Sequence, residues 1–429
     1  MESYLDKIIE TTRDLISYNS VQEDALPGMP FGRANYECLV KALDTAKSLG
    51  FKTKNLDGYC GYAELGEGED FGILAHLDIV PAGDDWSVDP FQGRIIDGIM
   101  YGRGILDDKG PVVCCMYAIK KLLDENYKPT KKIRIIFGCN EESGWKCIDH
   151  YNKAEAMPKI GFSPDADFPV IYLEKGIAHY KLTAPLDVFD VKGGHRPNMV
   201  PDKASLVVPY SESYERFLIE NKADFTIENN RITVKTSGKS AHGSTPEKGD
   251  NAIIKLFALS NIPLLNFLKT KFENTDGSGV NLKLSDAESK NLSLNLGAMN
   301  YKDKKLEMLL DIRYPVKYAE KEIQSILKLA LPDIDVELIN DQPPLYIPKD
   351  NPLVTTLLSA YNKVTGENAS PIAIGGGTYA RALEQGVAFG PIFPDMESTI
   401  HQKDERVSVA NLLKISKIYY EAIKAMCFE

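Results

Sequence analysis

No apolar run in this 429-residue sequence approaches the roughly 20 residues that a membrane-spanning helix needs. The opening segment MESYLDKIIETTRDLISY has neither the basic start nor the continuous apolar stretch of an export signal. Its Leu5, Ile8, Ile9, Leu15 and Ile16 share one helical face, which reads as a helix docked on a core. Paired cysteines are missing too. The seven thiols are odd in number and include no CxxC, which disfavours a disulfide framework and a thiolate zinc site. Free thiols in a reducing compartment follow, and with them a cytoplasmic location. Positive charge is in deficit, with Lys+Arg 50 against Asp+Glu 61 and a net charge of −11, which argues against nucleic acid or an anionic membrane as partner. Short-period repeats and low-complexity tracts are also absent.

What is present is an ordinary globular composition, 43% hydrophobic and 26% charged, in a chain too long for one core. Two domains are expected. Through residue 180, helical patterns (36–49, 112–127) alternate with strand-like ones (61–65, 71–77, 132–138), the sign of a mostly parallel α/β sheet. Near residue 181 the character changes. Strand-like segments at 204–209, 231–236 and 306–314 are joined by helices beginning near Pro246 and spanning 319–331, which suggests an antiparallel sheet. Pro343, Pro344 and Pro348 mark a return linker. Helices at 352–364 and 409–426 then enclose a glycine loop, Gly375-Gly376-Gly377. The predicted fold is α/β: a discontinuous catalytic domain (1–180 and 346–429) with a mostly parallel sheet flanked by helices, interrupted by an inserted α+β lid (181–345).

Five clusters of oxygen and nitrogen ligands fall where strands should end: His76-Leu77-Asp78, Asp107-Asp108, Glu141-Glu142, Asp165 and His401. Such donors suit a hard or borderline divalent cation. Alone, His76 reads as a satisfied strand-end histidine, Asp108 as a helix N-cap, Glu141-Glu142 as a solvated acidic pair and Asp165 as a turn residue. Together they read as a metal centre. Asp78 lies two residues beyond His76, on the same face of an extended backbone, and could orient its imidazole. Asp107 is the candidate for a carboxylate bridging two ions. Adjacent glutamates cannot share a direction, so one can bind metal while the other acts as general base. Two other leads fail. Gly238-Lys239-Ser240 looks like the end of a P-loop, but position 233 is Thr, and Gly102-x-Gly104 lacks the third glycine of a dinucleotide fingerprint.

The segments HLDIVPAGDDW, YGRGILDDKGP, NEESGW, FSPDADFP and IHQKDE, in this order, resemble the M20 metallopeptidases, the superfamily of aminoacylase and the carnosinases, and within it the PepV-type bacterial dipeptidases. The resemblance covers nearly the whole chain. It implies two divalent ions, zinc first, with manganese or cobalt as alternatives. It places His76 with Asp165 on one ion, Glu142 with His401 on the other, and Asp107 across both. Glu141 resembles the catalytic base and Asp78 the partner that orients His76. A cis peptide after the bridging aspartate is implied at Asp107–Asp108. In the lid, His242 resembles a donor to the tetrahedral oxyanion. Asn198 and Arg313 resemble substrate anchors, and Gly376, Gly377 and Thr378 a loop that contacts the same end of the substrate. An arginine fork suits a free carboxylate. His150, His179 and His195 match no role.

The implied enzyme is a dipeptidase acting on small unblocked dipeptides through a metal-bridging water. Related deacylases and carboxypeptidases typically carry Glu where this chain has Asp165, and the lid is longer than their single dimerising lobe. A monomer is therefore expected. The alternatives are an N-acyl amino acid deacylase or desuccinylase of the same superfamily, and a non-catalytic metal- or peptide-binding protein.

Overall fold

The runs DFGILAH and KIRIIFG are nearly continuous in apolar character and buried along almost their whole length. A strand buried on both faces belongs inside a parallel sheet. In the structure, a computed structural model describing residues 1–429, Asp70–His76 and Lys132–Gly138 pair in parallel. Ile160–Ser163 lies on the far side of Asp70–His76, and Gln385–Ala388 beyond it, again in parallel. On either flank the pairing turns antiparallel, with Cys60–Leu65 and Lys52–Leu56 at one side and Ile171–Glu174 at the other. The sequence predicts a mostly parallel sheet, whereas the structure shows a mixed one. Part of the reason is local: Asp57 and Gly58 take positive φ (53° and 74°) in the short link between two strands, so the chain folds straight back as a hairpin.

Helix Lys109–Asp124 is buried from Lys109 through Ile119 without a solvated stripe, as expected of an interior helix. It packs between Leu5–Ile16 and Val409–Cys427, and the latter packs on Pro352–Thr365. Each large aliphatic side chain buried here contributes about 1.5–3 kcal/mol relative to exposure. Lys109 sits at 0% exposure, its ammonium donating to the carbonyls of Leu15 (3.0 Å) and Tyr18 (2.9 Å). These elements form one unit, residues 1–172, 347–372 and 378–429. None of the helices is long and apolar enough to cross a membrane.

The second unit comprises residues 173–346 and 373–377. It begins earlier than the sequence suggests, because Gly176–Pro185 is one continuous strand paired with Lys305–Tyr314 and Asp335–Gln342. The loop 373–377 joins it because the Gly375 carbonyl accepts from Arg313 at 3.1 Å. Its sheet has eight antiparallel strands. Two tight hairpins are made by Asn229-Asn230 and Asp303-Lys304, all four residues at positive φ (50–60°), the geometry of two-residue turns. Near Pro246 a helix is expected, but only a 3₁₀ turn forms there. The α-helix starts at Ala252, where the Asn251 side chain caps the amides of Ile253 and Ile254. Strands Asp190–Gly193 and Ser293–Lys302 meet through a single residue pair, Gly193 with Met299. The sheet is thus two four-stranded lobes joined at a seam.

Candidate active site

Parallel register brings the strand ends level. His76 pairs with Gly138 and Ile73 with Phe162, so His76, Glu141 and Asp165 all leave the sheet at its carboxyl edge, where α/β folds gather ligands. His76 is 1% exposed. Its Nδ1 donates to the main-chain carbonyl of Asp78 at 2.9 Å. A carbonyl can only accept, so in the neutral ring the proton sits on Nδ1 and Nε2 carries a lone pair. That lone pair faces Asp107 Oδ1 at 2.7 Å and Asp165 Oδ2 at 3.5 Å. The second oxygen of Asp107 lies 2.8 Å from His401 Nε2, and the same nitrogen is 2.9 Å from Glu142 Oε1. Both oxygens of one carboxylate thus meet two imidazoles, each with a further carboxylate beside it. The Asp107–Asp108 peptide is cis.

Asp78 differs from its expected part in one respect. Its carbonyl rather than its carboxylate makes the short bond to His76, the nearer carboxylate oxygen standing 3.5 Å away. The carboxylate instead accepts the backbone amides of both Glu141 and Glu142, each at 3.0 Å. It therefore fixes the peptide on which the two glutamates sit. Trp145 Nε1 donates to Glu141 Oε1 at 3.3 Å.

Whether these residues fit a metal can be judged from charge. None of Asp107, Glu141, Glu142 or Asp165 pairs with a lysine or arginine. Burial and the Asp107 charge push Glu142 up to about 7, and burial raises Glu141 and Asp165 as well. Burial alone would lower both imidazoles, yet their hydrogen bonds to Asp107 hold them above the ordinary range. Four carboxylates (Asp107, Glu141, Glu142 and Asp165) thus converge on two imidazoles with no lysine or arginine to offset them, an excess of negative charge that a divalent ion would balance. The ligand atoms of His76, Asp107 and Glu142 lie within 4.8 Å of one another, as do those of His76, Glu141 and Asp165. The donor set fits.

Residues 72–425 match the family described as Peptidase family M20/M25/M40. The chain belongs to that family. This M20 peptidase is a metal-dependent enzyme. It is 38% identical over 448 aligned residues to "Putative dipeptidase YtjP" of Bacillus subtilis (strain 168), covering 97% of this chain and 96% of the relative. Human carnosine dipeptidase 1 shares its fold, with a TM-score of 0.62, 15% identity and 99% and 97% of the two chains covered. So does the YXEP protein of Bacillus subtilis, described as a dinuclear metal binding peptidase, with a TM-score of 0.52, 10% identity and 98% of each chain covered.

Within the second unit, the peptidase brings Asn198, His242 and Arg313 onto neighbouring segments. The Gly243 amide donates to the Asn198 carbonyl at 2.7 Å, and a Cβ at Gly243 would stand 2.3 Å from Asp311 Oδ2. The Ser244 amide donates to His242 Nδ1 at 3.2 Å, so the neutral ring carries its proton on Nε2. Arg313 is less free than its sequence suggests. Its Nε and Nη2 are bound to Asp311 at 2.7 and 2.8 Å, and its Nη1 to the Gly375 carbonyl. One N–H on each terminal nitrogen remains, enough for an end-on grip on a carboxylate. Gly376 and Gly377 lie in the same loop, partly exposed. The Thr378 oxygen accepts the Ala380 amide at 3.2 Å, capping a short 3₁₀ helix. His150 stacks on Tyr59 at 4.3 Å.

Sequence reasoning missed one support. Glu405, 0% exposed, binds Arg103 at 2.7 Å and accepts the amides of Gly104 (3.1 Å) and Leu106 (2.9 Å). It ties the loop ending at Asp107 to the loop beginning at His401. The clue was its place in IHQKDE, four residues after the histidine. Glu405→Ala would leave Arg103 a buried unpaired charge, so urea unfolding should show a loss of about 3–5 kcal/mol.

Proposed function

We propose that this peptidase hydrolyses unblocked dipeptides at a two-metal centre, as a monomer of 47.6 kDa. Supporting this reading most directly is the geometry of Asp107, whose two oxygens each face a different imidazole. His76 and Asp165 would hold one ion, Glu142 and His401 the other, and Asp107 both. Zinc is the first choice, with manganese or cobalt as alternatives, because imidazole and carboxylate donors accept all three. Bound there, the ions would supply Lewis acidity and lower the pKa of the attacking water.

The chain's own groups do the rest. Glu141, anchored through its amide to Asp78, takes a proton from the attacking water and later delivers it to the leaving amine. His242 offers an Nε2 proton to the developing oxyanion, a role its Nδ1 contact with the Ser244 amide favours. Arg313 grips the free C-terminal carboxylate end-on, with Asn198 and the amides of Gly376 and Gly377 beside it and Thr378 closing the loop. Asp165 in place of glutamate also favours the dipeptidase over the deacylases. Seven buried free cysteines are consistent with a reducing cytoplasm.

A panel of free dipeptides and N-acyl amino acids, assayed with each metal, tests the reading. The kcat/KM for free dipeptides should exceed that for acyl amino acids by about tenfold or more, since unpaired polar groups penalise the wrong ligand. The reverse preference would make this a deacylase.

A further inference from the structure

The seam of the second unit's sheet borders a cavity of about 900 Å³, within the size range of small-molecule sites. One wall comes from the first lobe, where Lys192, Ser205 and Lys235 stand opposite one another across three strands and Lys203 lies two residues along from Ser205. The other wall comes from the second lobe, with Ala298 and Leu309 as its apolar patch. Lys181 in that wall is neutralised by Glu307 at 2.7 Å. Lys192, Lys203 and Lys235 have no carboxylate within ion-pairing distance, although Asp224 sits across the ladder from Lys235. His195 adds an imidazole at the rim. In a chain of net charge −11, three unpaired lysines converging on one concavity are a local reversal of sign.

We infer that this seam cavity binds a phosphomonoester carrying a flat apolar body, its phosphate on the lysine row and its body over Ala298 and Leu309. The site is placed to influence turnover. Gly194, at φ 62°, lies so close to the Gly297 carbonyl that a Cβ would stand 2.0 Å from it. Asn295 of the second lobe donates to the carbonyls of Pro197 and Met199 at 2.8 and 2.9 Å. The segment carrying Asn198 is thus held between the lobes, and a ligand spanning the seam would restrain it. The effect on turnover rests on the role proposed for Asn198, whereas binding itself does not.

Calorimetry on the metal-loaded full-length protein, with AMP and inorganic phosphate as separate probes, tests this. AMP should bind saturably, more tightly than phosphate, and more weakly as salt is raised. The exposed Lys192→Gln/Lys235→Gln double variant should weaken AMP by about tenfold and leave dipeptide turnover without AMP unchanged. Absence of saturable AMP binding below about 1 mM, or binding unaltered in the double variant, would overturn the proposal. AMP bound by the lysine row without any change in turnover would keep the site and remove its link to Asn198.

Discussion

Glu141→Ala should lower kcat by about 10²–10⁴-fold, the range for loss of a positioned general base. The KM and the metal content should hardly move. Glu141 offers the amide that Asp78 fixes at 3.0 Å, and that backbone contact survives truncation of the side chain. Glu142, the proposed ligand next to it, keeps its own amide bond to Asp78 and its 2.9 Å approach to His401. Metal analysis alongside steady-state kinetics separates the two functions. A fully loaded variant with parental kcat would show that this carboxylate is not the base, and the non-catalytic binder would become the better reading.

Asp107→Ala should have the widest effect of any substitution at the site. Only this carboxylate touches both imidazoles, at 2.7 and 2.8 Å, so its loss should empty both metal positions rather than one. Turnover should fall to background. There is also a readout independent of activity. An ion that binds only the folded chain stabilises it by about 2.7 kcal/mol at a free concentration a hundred times its Kd. For a domain of this size that is roughly 5–10 °C in Tm. Chelation should therefore lower the Tm of the parent protein and leave that of the variant nearly unchanged. Equal shifts in the two proteins would mean that the ions are held elsewhere.

Much of this site was legible because its donors follow strands with strong patterns. A buried apolar run that stops at a histidine, or at two glutamates, announces both the strand and the edge at which it ends. The long helices were visible for the same reason. What stayed hidden depends on pairings between distant segments. The carboxylate of Asp78 was read as a partner for the nearby histidine, but the fold carries the Glu141 and Glu142 amides to it from more than sixty residues away. The Arg103–Glu405 pair spans 302 positions, and although Glu405 stands in the histidine-bearing IHQKDE segment, nothing local to it names Arg103 as its partner. Asp311 is a different case. Two residues from Arg313 on one strand, it shares a face with it, so its capture of the guanidinium could have been anticipated. The antiparallel flanks of the sheet were missed because the Asp57-Gly58 turn is only a short signal between weakly patterned strands.

The order of the chain has a consequence for biosynthesis. Strand Gln385–Ala388 takes its place in the catalytic sheet between Ile160–Ser163 and Ile171–Glu174, and His401 follows later still. Everything from 173 to 346 is translated in between. Domains fold on the ribosome as their residues emerge, the N-terminal parts first, yet this one must wait for a late strand and a later ligand. A nascent chain carrying four of the five proposed ligands still lacks the imidazole that meets the second oxygen of Asp107. With His401 as a ligand, as proposed, peptidase activity would await the last part of the chain by topology alone.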